Sequence, residues 1–112
     1  MNVLELQLDD LSRKEVRDRG LGLLAEISIG FHRASAPAST VLAAPKEFKL
    51  LGREYCGYEL QDDRARKRVV VFSARNRFFE CIMAPDGREV SPQDLASLFS
   101  TQQTVLSTLE FR

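Results

Sequence analysis

The stretch from Arg68 to Pro85 limits what this chain can become, because it is the densest apolar segment and a polar Arg75-Asn76-Arg77 turn cuts it in two. Its arms, Val69 to Ala74 and Phe78 to Ala84, have the length and composition of strands, so the segment reads as a β-hairpin. Phe78 and Phe79 are neighbours on the second arm and therefore point to opposite faces of the sheet. Every other segment has to extend this hairpin or cover it.

On the N-terminal side, Val3 to Leu8 alternates, with Leu4, Leu6 and Leu8 on one face and Glu5 and Gln7 on the other, the pattern of a half-buried strand. Leu11 to Val16 then supplies a helix start: Ser12 as N-cap, Glu15 three residues on as its capping-box partner, and Leu11 stapled to Val16. The favoured helix runs to about Leu24, with a stop at Gly20 or Gly22 as the alternative. Glu26 to His32 satisfies both periods and is open between helix and strand. Arg33 to Pro45 is rich in Ala, Ser and Pro and reads as a surface connection with room for a short strand at Thr40 to Ala43.

Glu47 to Leu51 and Tyr55 to Leu60 flank a turn at Gly52-Arg53, and Gly57 leaves a gap that a neighbouring aromatic ring can fill. After Pro85-Asp86-Gly87, a turn, Ser91 caps and Pro92 opens a second helix whose stripe is Leu95, Leu98, Phe99, Val105, Leu106 and Leu109. The fold class is α+β: an antiparallel meander of four to five strands, an N-terminal strand-helix unit, and a C-terminal amphipathic helix on the sheet. At 112 residues the chain makes a single domain, large enough to bury about two thirds of its unfolded surface without metal or disulfide. The 44% apolar share argues against disorder.

Sixteen basic residues balance sixteen acidic ones, so no global field steers the protein to nucleic acid or an anionic membrane. No membrane span or export leader is expected, so the chain reads as cytoplasmic as written, with an exported mature fragment restarted at Met1 as the alternative. Cys56 and Cys81 lie inside strands rather than in a Cys-x-x-Cys pair and read as buried free thiols. His32 is the one imidazole and reads as a packing or surface residue. Asp9-Asp10 and Asp62-Asp63 fall at element ends, where turn and pre-cap roles explain them. There is no Gly-x-Gly-x-x-Gly and no Gly-x-x-x-x-Gly-Lys. No catalytic, metal or cofactor residue is expected.

Two sets remain as candidate binding residues. The first is aromatic: Phe78 and Phe79 with Tyr55 and Tyr58, which mark a partner surface if the helices cover only one face. The second is basic: Arg64, Arg66, Lys67 and Arg68 at one end of the hairpin, with Arg75 and Arg77 at the other, about 20 Å away along the strand. That separation works against one compact patch, and solvated charges that discourage edge pairing account for most of the set.

Phe48 to Tyr55, Gly57 to Leu60, the hairpin from Val69 to Met83, and a last helix closing on Thr108 to Phe111 together resemble the PsbP/DcrB-like family of small α+β domains. The resemblance spans about Pro45 to Phe111; the chain departs from the family in lacking the hairpin before the first helix and any export signal or lipoprotein cysteine. It implies a non-catalytic protein: a binding module, adaptor or chaperone-like factor, or accessory subunit, with a protein partner or a homo-oligomeric state. A nucleic-acid or phosphate-binding domain using the hairpin arginines is the alternative, and a small-molecule enzyme fits least.

Overall fold

The computed structural model describes residues 2–50, 52–62, 66–83 and 102. Along the chain lie β1 (Asn2–Leu6), α1 (Asp10–Arg19), α2 (Leu21–Ser35), β2 (Thr40–Leu50), β3 (Arg53–Gln61), β4 (Arg66–Ala74) and β5 (Arg77–Met83). The strands form one antiparallel sheet in the order β1-β5-β4-β3-β2. β2 to β5 are a meander of consecutive neighbours, as the sequence suggests, while β1 closes back onto β5. The helical pair thus carries the chain from one sheet edge to the other. The helix expected from Ser91 lies outside the described residues; of that segment Gln102 is described, buried, with its amide donating to the Cys81 carbonyl at 2.9 Å.

The hairpin stands as read, with arms at Arg66–Ala74 and Arg77–Met83. Its loop is two residues, Arg75 at φ 54° and Asn76 at φ 62°. Left-handed conformation at both central positions is the type I′ geometry, which matches the twist of the flanking strands and favours Asn-Gly. Replacing the pair by Arg75→Asn with Asn76→Gly should therefore raise the unfolding free energy by about 1 kcal/mol. Urea unfolding decides; an unchanged or lowered midpoint with the same m-value would refute it.

The N-terminal half departs from the sequence reading at the first helix cap and at the end of the connection, and it settles two points the sequence left open, the helix stop and the Glu26 to His32 segment. The first helix starts at Asp10, not Ser12: Asp9 is the N-cap and its carboxylate accepts from the Ser12 N–H at 2.7 Å. That moves Leu11 into the first turn, where it is 67% exposed and staples nothing. The helix then breaks at Gly20, whose φ of 91° and ψ of −173° belong to a region only glycine enters freely.

A second helix begins at once, and Glu26 to His32 is its middle rather than a strand. The alternation of Ile27, Ile29 and Phe31 misleads because Ser28, between them, is fully buried, whereas Phe31 is 45% exposed. Leu24, Ala25, Ser28 and Ile29 are the face that meets the sheet. Finally, the connection ends earlier than Pro45: β2 runs from Thr40 through the proline, which is accommodated where the register shifts between Ala43 and Lys46.

Both sheet faces are packed. Under the helices lie Leu6, Cys56, Tyr58, Leu60, Val69, Val71 and Phe78 with Val16, Leu24, Ala25 and Ile29. The opposite face gathers Tyr55, Val70, Phe72 and Cys81 with Phe48, Leu50 and Phe79. Gly57 has the role expected of it: a Cβ there would stand 3.3 Å from the Phe48 ring and 3.5 Å from Val70.

Candidate functional site

The aromatic candidates do not form an open surface. Phe78 and Tyr58 are inside the core beneath the helices, at 3% and 1% exposure, and Tyr55 is at 1% on the other face. Phe79 is half-buried on that second face, stacked on Phe72 with ring centroids 5.4 Å apart and with the Arg77 guanidinium 5.9 Å above its ring. The two rings do point to opposite faces, as strand geometry requires. Burial removes Tyr55, Tyr58 and Phe78 as a partner surface and leaves Phe79 partly accessible.

The basic candidates are dispersed and largely paired. Arg66 holds Glu59 with two donors at 2.8 and 3.1 Å, Lys67 meets Asp62 at 2.6 Å, and Arg77 donates to Glu5 at 2.9 Å. Arg68 is half-buried over the Phe48 ring at 5.7 Å; burial pushes its pKa down, against the pull of Glu59 and Cys81. Arg75 sits exposed in the hairpin turn, at the far end of β4 from Arg66. Arg64 lies outside the described residues.

What the structure brings together instead is a polar cluster between α2 and the sheet. Ser28 and His32, one helical turn apart on α2, both reach Glu80 Oε2 on β5, at 2.6 and 3.3 Å. Tyr58 on β3 lies 2.7 Å from Ser28 Oγ. An ionised carboxylate only accepts, so Ser28 donates to Glu80, His32 must carry its proton on Nε2, and Tyr58 is left to donate to Ser28. Burial alone would push the Glu80 carboxyl up, but the bonds from His32 and Ser28, together with the charges of His32 and Lys67, hold it below its usual range. Burial drives the Tyr58 phenol the other way, upward, only partly offset by the bond to Ser28.

Chemically this is a joint rather than a nucleophile. Ser28 is fully buried with its one proton committed to Glu80, so no substrate carbonyl can approach its oxygen. The cysteines offer no nucleophile either: both are free and buried, and they face opposite sides of the sheet. Burial, with the charge of Glu47, pushes the Cys56 thiol up to about 11, and burial raises Cys81 as well. Among the described residues no cluster of His, Cys, Asp and Glu could hold a metal ion, and no helix is long and apolar enough to cross a membrane. Neither a protein-family model nor a curated protein matches the chain.

Among the described residues the sheet ends in β1 and β2, and these two edges differ. β2 carries two register shifts, between Val41 and Ala43 and between Ala43 and Lys46, along with Pro45, devices that spoil a ladder for any incoming strand. β1 pairs with β5 in unbroken register from Asn2↔Ile82 to Leu6↔Phe78 and has neither proline nor lysine. Its outward residues are apolar, Val3 at 39% and Leu4 at 50% exposure, and its one charge, Glu5, is held by Arg77. Sequence reading missed the cluster, and it named strand edges as a binding surface without saying which strands form them. Glu80 is the one acidic residue inside the densest apolar run and thus the available signal for the cluster; the edge position of β1 follows from its non-local pairing with β5, which no local pattern encodes.

Proposed function

We propose that the chain is a non-enzymatic protein-binding module, an adaptor or accessory subunit, that receives an extended segment along the outer edge of β1. The observation that carries this reading is the asymmetry of the edges: one is bulged and interrupted by proline, while the other is regular and lined by half-exposed Val3 and Leu4. A strand added there would take main-chain hydrogen bonds for affinity and alternate side-chain contacts for specificity. The resemblance to the non-catalytic PsbP/DcrB-like domains points the same way. The binding role is put on the edge because Tyr55, Tyr58 and Phe78 are buried and Phe79 is half-buried. Among the described residues, the pairing of Arg66, Lys67 and Arg77 leaves the nucleic-acid alternative without a collected cationic surface.

The test compares wild type with Leu4→Lys on β1 and Leu42→Lys on β2, where Leu42 is likewise 44% exposed. Immobilised on beads at matched density, the Leu4→Lys protein should retain a stoichiometric partner at least about tenfold less well, a loss of roughly 1.4 kcal/mol, while Leu42→Lys binds as wild type. Far-UV circular dichroism confirms that both variants are folded. Equal capture by all three proteins would refute docking at β1.

A further inference from the structure

We infer that the strand received by β1 is the β1 of a second copy, giving a closed two-fold dimer with a sheet continuous through both subunits; this rests on the edge-docking reading above. Of the three ways two copies could join sheet edges, β2 to β2 and β1 to β2 both need a regular ladder on β2. Its two register shifts and Pro45 deny that up to Lys46, and the regular remainder to Leu50 carries exposed Lys46, Glu47 and Lys49, charges that discourage edge pairing. The β1-to-β2 mode would in addition be head-to-tail and would build open chains. The β1-to-β1 mode closes on itself.

The sequence of the strand selects the register of such a pair. Antiparallel pairing centred on Leu4 uses all of Asn2–Leu6 and sets Leu4 against Leu4, Val3 against Glu5, and Asn2 against Leu6 of the other copy. The half-exposed leucines meet on the axis, on the face that carries the helices, because Leu4 aligns with Glu80, which faces α2. Centring on Glu5 would set two carboxylates against each other, which costs stability. In the Leu4 register each Glu5 lies opposite an apolar valine and keeps its own Arg77. The balanced formal charge of zero adds no long-range repulsion between copies. One short strand pair makes a small interface, so the dimer should be weak and dependent on concentration.

Directly opposed residues in an antiparallel pair have Cα atoms about 4.5 to 5.5 Å apart, within disulfide reach. Leu4→Cys should therefore oxidise to a covalent dimer at least about tenfold faster than Val3→Cys or Glu5→Cys, whose counterparts face different residues. The native thiols are buried and do not compete. Sedimentation of the wild type between about 1 µM and 1 mM should show a reversible monomer–dimer shift that Leu4→Lys abolishes. Equal cross-linking rates at the three positions, or a wild type that stays monomeric throughout, overturns the dimer. If the wild type is monomeric but a different protein is captured in a Leu4-dependent way, the edge-docking reading survives alone; if Leu4→Lys changes neither, both fall.

Discussion

Glu80→Ala is expected to lower the unfolding free energy by about 3 kcal/mol, because it strips the acceptor from a largely buried cluster in which Ser28 has no water to turn to. Ser28 is fully buried and donates to Glu80 at 2.6 Å; His32 donates at 3.3 Å; Tyr58 reaches the carboxylate through Ser28. Glu80→Gln keeps the shape and one acceptor oxygen for Ser28 but loses the charge that His32 and Lys67 favour, so about 1 to 2 kcal/mol should be lost. The pH dependence follows from the sign of the shift. The folded carboxyl lies below its usual 4.5, so its contribution is fully present above that pH and is lost as pH falls through the lower, folded value.

The stability difference between wild type and Glu80→Gln should accordingly be constant near neutrality and shrink on going to about pH 3. Glu5, held down by its bond to Arg77, and Asp9, held down by its bonds from Ser12, contribute to the same acid limb. Both are common to the two proteins and cancel in the difference. Urea titrations at the two pH values make the measurement; a gap that does not narrow would mean that Glu80 is not stabilised as an anion.

The cluster also shows where sequence reading stops. The hairpin, its turn and the ring over Gly57 were legible because each depends on residues close in sequence or on a missing side chain with one obvious use. The sequence reads Ser12 as the cap and Asp9 as a pre-cap residue, although the two have equal capping chemistry, and only the position of the first turn separates them. Ser28 was harder, since a serine on an apolar helical face looks like a break in the pattern until Glu80 is placed beneath it. That contact joins residues 52 positions apart. Pro45 within β2 shows the same limit: proline excludes a regular ladder, but the sequence does not say that the strand will bulge around it.

Phe72→Ala is expected to cost about 4 kcal/mol, the largest loss from any single ring on the second face. The aromatic residues there form one row across four strands: Phe48 on β2 stacks on Tyr55 of β3 at 5.4 Å, Tyr55 meets Phe72 of β4 edge-on at 5.5 Å, and Phe72 stacks on Phe79 of β5 at 5.4 Å. Phe72 is fully buried and has a ring on each side, so its removal opens a cavity and breaks two aromatic contacts. Phe79, half-buried and at the end of the row, should cost less, about 2 to 3 kcal/mol. A double-mutant cycle on Phe72 and Phe79 should return a coupling of about 1 kcal/mol. The same variants separate core from interface. If the row serves only to fasten β2 through β5 together, Phe72→Ala and Phe79→Ala, studied well below their unfolding temperatures, should leave the Leu4→Cys cross-linking rate within about twofold of its value in the parent sequence. A large fall in that rate with the fold intact would return the partner surface to the sheet face and take it away from the β1 edge.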